Sequence, residues 1–171
     1  MRLACEFCRG LRIMRQPRWE CLASFITSSM KQVAHIRQIS QTLRERFGLR
    51  RSLGSVHVYS YPTPEVLADL HETDLRNCAL GYRAKNLLAT AQLIARGEVN
   101  LEALSDLPDD ELRAALCALP GAAAQVATCV LLFAHERPQA VPIHVLVALV
   151  LTPTYSPGPR EFARGHPPNA P

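Results

Sequence analysis

A proline–glycine pair set between two helical runs, Leu119-Pro120-Gly121, constrains the fold of this chain more than any other feature. Proline cannot continue a helix, and the glycine after it reaches backbone angles closed to other residues. Upstream, Asp109-Asp110-Glu111 complements the positive end of a helix that begins after Leu107-Pro108 and runs to Ala118. Downstream, the apolar run Ala124 to Glu136 predicts a second helix, broken by Pro138. Pro142 starts a further helix, reaching about Leu151. The unit is helix, tight turn, helix.

The rest of the chain also reads as helices. Trp19-Glu20-Cys21-Leu22-Ala23-Ser24-Phe25-Ile26 is largely apolar and follows Pro17, which suits a first helical turn. Val33, Ile36, Ile39, Leu43 and Phe47 step by three or four residues, which predicts a helix from Lys31 to Phe47 stopped by Gly48. Val56 to Tyr61 alternates like a strand but has no evident partner, so it is expected to be an extended connector. Thr63-Pro64 caps the first of two short helices, at about 64–70 and 74–79. Gly81 separates these from a longer helix, Tyr82 to Arg96, ended by Gly97. The expected class is all-α, about eight helices. Residues 1–17 form a basic N-terminal segment, 18–151 a helical domain, and 152–171, with six Pro and two Gly, a disordered tail.

Composition narrows the partners. With 171 residues, 48% of them hydrophobic, the chain can bury one core. Its net charge of +4 suits a polyanion without proving one. The bases are 17 Arg against two Lys, Lys31 and Lys85, so any chemistry that needs a lysine amine must use one of those two. Cys5 and Cys8 have zinc-like spacing, but no second pair follows, so no metal site is expected. No signal peptide or 18-residue apolar span is seen. The expected setting is intracellular: nuclear in a eukaryote, cytoplasmic and nucleoid-associated in a bacterium.

Several blocks, collinear from about Gly10 to Leu151, resemble one superfamily. They are Trp19-Glu20-Cys21-Leu22, Ser24-Phe25-Ile26 with Ser28-Ser29, Leu80-Gly81-Tyr82-Arg83-Ala84, Leu116-Cys117-Ala118-Leu119-Pro120-Gly121, and Pro138-Gln139-Ala140-Val141-Pro142. Together they resemble the helix-hairpin-helix DNA glycosylases, of the 8-oxoguanine DNA glycosylase/AP lyase type. The resemblance implies base-excision repair on damaged double-stranded DNA by a monomer, without cofactor or metal.

It also implies roles for residues. Backbone N–H groups of the hairpin, including Gly121, would hold a phosphate. The family's second hairpin glycine corresponds to Ala123, where a positive φ would cost about 1–2 kcal/mol. Tyr82 and Arg83 match the wedge that enters DNA beside an extruded base; on its own, Tyr82 reads equally as a helix-start aromatic packed on Leu80 or Leu88. Lys31 and Arg37 would reach phosphates or form a solvated face. Cys129 and Phe133 would line the base pocket, and without the resemblance both read as core. The family's nucleophilic lysine corresponds to Gln125 and its aspartate to His144. An amide nitrogen has no usable lone pair at neutral pH, so Gln125 cannot form an imine and lyase chemistry by that route is expected to be lost. The open alternatives are a non-catalytic DNA-binding relative and a decayed helical fragment.

Overall fold

The computed structural model describes residue 10 and residues 12–28 and 32–142. Those up to Val141 belong to one compact unit. Lys31, His144, the helix expected after Pro142, the tail and the Cys5–Cys8 pair lie outside the described residues. Within them there are seven α-helices: α1 Arg18–Ser28, α2 Val33–Phe47, α3 Pro64–Ala68, α4 Glu72–Leu75, α5 Arg83–Ala95, α6 Asp109–Cys117 and α7 Ala124–Ala134. A 3₁₀ turn, Ala103–Asp106, precedes α6.

Helix α1 is the central element. It packs on α7, α5 and α2, and buries Cys21, Leu22, Ala23 and Ile26. Pro17 accepts its first helical bond from the Cys21 N–H at 2.9 Å. The core joins Leu22 and Ile26 to Leu87 of α5, Leu112 and Leu116 of α6, and Val130 and Leu131 of α7. Burying each such side chain stabilises the fold by about 1.5–3 kcal/mol. The α2 stripe is only partly used. Ile39 and Leu43 are fully buried, whereas Val33 in the first turn is exposed.

One expectation needs correction. Val56–Tyr59 is a strand (β2), paired antiparallel with Arg50–Leu53 (β1) through a two-residue turn at Gly54, whose φ is +62°. The partner was hidden because Arg50-Arg51-Ser52 carries no apolar alternation. Gly48 is also explained differently. Its φ is −80°, so no left-handed cap is formed. A Cβ there would fall 2.0 Å from the Ser60 carbonyl oxygen and 2.5 Å from that of Arg44. Close backbone approach excludes a side chain.

Helix α7 ends two residues earlier than expected, at Ala134. His135 leaves helical geometry and Glu136 takes φ +57°. His135 is buried, only 7% exposed, with Nδ1 3.0 Å from Ser105 Oγ. That hydroxyl accepts from Arg18 Nε at 2.9 Å, and Arg137 Nη2 donates to the Ser105 carbonyl at 3.0 Å. Arg137 Nε faces Asp109 Oδ1 at 3.0 Å, an ion pair too bent for a hydrogen bond. These bonds latch the end of α7 to the 3₁₀ turn and the start of α1.

Two consequences can be measured. Burial, reinforced by Arg18 and Arg137 and opposed by Glu102, pushes the His135 pKa down from 6.5 to about 4. The unfolded chain therefore takes up a proton between pH 6.5 and 4 that the fold refuses. The stability linked to His135 is complete above pH 6.5 and falls, by about 3 kcal/mol in all, as pH drops through this window. Urea denaturation across it should show this loss, and His135→Leu should flatten it; equal slopes would refute the latch. Separately, Gly121→Ala should lower stability by about 2–4 kcal/mol, because the site combines a left-handed backbone with no room for a methyl group. The same titration at neutral pH reads this, and a change under about 0.5 kcal/mol, within the range of an ordinary surface substitution, would contradict it.

Candidate nucleic-acid interface

The turn between α6 and α7 is built by its sequence and lodged by its neighbours. Gly121 has φ +80°, and a Cβ there would lie 2.8 Å from Asn86 Cβ and 3.1 Å from Ile26 Cγ2. Thr90 Oγ1 donates to the Pro120 carbonyl at 2.9 Å. Asn86 and Thr90, one turn apart on α5, therefore seat the hairpin from beneath. Ala122 points into the core, while Ala123, Ala124 and Gln125 face solvent.

The two helices of the motif differ in their charge. Helix α6 opens with Asp109, Asp110 and Glu111, which offset its positive end. Helix α7 has no acidic residue in its first turn, and Ala123 supplies no side-chain cap. Its first N–H groups lack helical acceptors and present an uncompensated positive end beside exposed backbone. Ala123 has φ −62°, ψ 169°, ordinary extended backbone. The strain expected from a Cβ at this position is therefore absent.

Tyr82 precedes α5 and is 63% exposed. The backbone aims it outward: Ala79 has φ +61° and Gly81 has φ +60°, ψ −134°, a combination open to glycine. Asn86 lies one turn beyond Tyr82, so the exposed ring and the hairpin sit toward the same end of α5. Arg83 turns the other way. It is 6% exposed, with its guanidinium 4.4 Å from the Tyr82 ring centroid, a cation–π contact beneath the ring.

Gln125, Cys129 and Phe133 follow at four-residue steps along one stripe of α7. Gln125 is exposed and makes no side-chain hydrogen bond among the described residues. Cys129 is buried, which raises its thiol pKa. Phe133 stacks on Phe25 at 5.8 Å and 17°. It also borders a cavity of about 260 Å³ lined by Ile13, Met14, Leu132 and Pro138 and by the ion pair of Arg15 with Glu136; Cys129 does not line it. The structure thus brings Gln125, Cys129 and Phe133 onto one stripe: Gln125 faces solvent, Cys129 is buried, and Phe133 borders the cavity. Lys31 and His144 are outside the described residues. Among those described, no group of His, Cys, Asp or Glu is placed to hold a metal ion, and no helix is long and apolar enough to cross a membrane.

Sequence reasoning missed four residues here: Asn86, Thr90, Arg113 and Thr128. Asn86 and Thr90 left a faint signal, two small polar residues four apart among Leu87, Leu88, Ala89 and Ala91. Arg113 and Thr128 left none, since their contact joins two helices: Arg113 Nη1 donates to Thr128 Oγ1 at 2.6 Å.

Residues 23–147 match the family model described as HhH-GPD superfamily base excision DNA repair protein. The chain is 31% identical over 151 residues to an N-glycosylase/DNA lyase of Arabidopsis thaliana, a match covering 84% of the chain and 40% of that relative. The 8-oxoguanine glycosylase/lyase of Clostridium acetobutylicum in its apo-form superposes with a TM-score of 0.84 at 31% identity, over 90% of this chain and 54% of that one. The same enzyme in complex with double-stranded DNA containing cytosine opposite 8-oxoguanine gives a TM-score of 0.83 at 31% identity, over 92% and 55%. The chain thus spans between two-fifths and just over half of the length of these relatives. It belongs to the HhH-GPD superfamily of base excision DNA repair proteins.

Proposed function

We propose that this chain binds damaged duplex DNA as a base-excision repair protein of the 8-oxoguanine glycosylase/AP lyase type, as a monomer, with the family's lyase step lost. The observation that carries this reading is the hairpin: Gly121 in left-handed geometry, an uncapped α7 without first-turn acids, and exposed Ala123, Ala124 and Gln125. Backbone N–H groups at such an end bind phosphate oxygens directly, helped by the helix dipole. Tyr82 offers a flat ring at the same end of α5, able to stack where a base has left the helix. Arg83 supports that ring from below.

Gln125 occupies the place where the resemblance puts a lysine nucleophile. An imine needs a nitrogen lone pair that attacks the sugar carbon and then loses its protons, and the Gln125 amide delocalises that pair into its carbonyl. By the resemblance, His144 corresponds in sequence to an aspartate that would offset a cationic sugar, and a protonated imidazole would repel it. The chain is read as a binder of lesion-containing DNA without the covalent step. Its place of action is wherever the cell keeps its DNA. The domain that does this work is taken as 18–151.

Borohydride trapping on a duplex containing 8-oxoguanine tests the covalent step. The natural chain should give no trapped adduct, and the double change Gln125→Lys with His144→Asp should give one. Capture by the natural chain would refute the loss of the nucleophile. The wedge is tested by Tyr82→Ala, which should weaken binding to a duplex with an abasic-site analogue by about 1–3 kcal/mol, the worth of one base–aromatic stack. Because the ring is exposed, the thermal midpoint should hardly change; undiminished binding would exclude the wedge.

A further inference from the structure

We infer that Arg113, on α6, is an additional phosphate-binding residue of the hairpin, held in position by Thr128 of α7. This rests on the DNA-binding reading above and extends it to a residue outside the hairpin turn.

The geometry is a relay of two hydrogen bonds. Thr128 Oγ1 accepts from Arg113 Nη1 at 2.6 Å and donates to the carbonyl of Ala124, the first residue of α7, at 2.8 Å. The hydroxyl's proton and one of its lone pairs are thereby committed, and the guanidinium is fixed one turn along α7 from its open end. Thr128 is three residues after Gln125, so the cation stands beside the face that Gln125 presents.

Charge bookkeeping points the same way. Among the described residues, no carboxylate pairs with Arg113. Of the nearby first-turn acids, Asp109 is engaged by Arg137. The guanidinium is half-buried with five N–H donors, one of them bonded to Thr128, and none of the others is sealed from solvent, so they stay open to an anion. Its remaining donors match a phosphate's oxygens, and its planar fork can bind two at once. Gln125 contributes no charge on this face, and Arg113 supplies one. Guanidinium stays protonated and is no nucleophile, so it holds a phosphate without attacking the sugar. Phosphate grip and covalent chemistry thus reside on different side chains here.

The test is binding of the full chain to a short fluorescent duplex containing an abasic-site analogue, measured across a range of sodium chloride concentrations. The variants are Arg113→Gln, Arg113→Lys and Thr128→Val, each checked by thermal unfolding. Arg113→Gln keeps a donor for Thr128 but removes the charge. It should bind several-fold more weakly, with the slope of log K against log salt reduced by about 0.9, the value of one phosphate contact. Arg113→Lys should retain the slope. Thr128→Val releases the guanidinium without discharging it, and should weaken binding with the slope unchanged. A purely structural clamp between α6 and α7 would lower the thermal midpoint and leave the slope of Arg113→Gln at the natural value, which would overturn the inference. If the natural chain fails to bind even at low salt, the DNA-binding reading falls and this one with it. Natural-chain binding with an unaltered Arg113→Gln slope would sink this inference alone.

Discussion

The seat of the hairpin on α5 is the contact on which the rest depends. Gly121 has room for a hydrogen and no more, against Asn86 and Ile26, and Thr90 holds the carbonyl of Pro120. These contacts fix the angle at which α6 meets α7 and place the opening of α7 beside the start of α5. Move the turn by an ångström, and the exposed N–H groups would no longer share an end with Tyr82. The site is a product of core packing, since Gly121 abuts Ile26, a residue of the same core as Leu87 and Leu116.

Polarity is distributed unevenly over this frame. Helix α6 neutralises its own beginning with three carboxylates, and α7 leaves its beginning bare. The opposite end of α7 is tied by Arg18, Ser105 and Arg137 around a neutral His135. One end of α7 is therefore held by protein groups, and the other is open to a ligand. That division makes the helix a rigid presenter of its first turn.

Much of this was legible in the chain itself. Proline and glycine act locally, so Pro64, Pro108, Pro120 and Gly97 marked helix boundaries that the structure reproduces to within a residue or two. The stripe of Ile39 and Leu43 announced a buried face. What escaped was non-local. The hairpin of β1 and β2 was invisible because its first strand is basic and polar, and pairing is a property of two segments. The early end of α7 comes with bonds from His135 and Arg137 to Ser105, 30 and 32 residues away. The resemblance puts Arg83 in the wedge beside Tyr82, and only the structure reveals that its side chain is buried against the Tyr82 ring.

The entry into α5 bears on how the aromatic ring works. Its outward pose is imposed by main-chain angles at Ala79 and Gly81 and by the guanidinium beneath it, with no ligand needed to draw it out. A ring already held in place loses less rotamer freedom on contact than a free surface side chain does. The backbone angles and the cation–π contact that set this pose form when the polypeptide folds, before any ligand arrives.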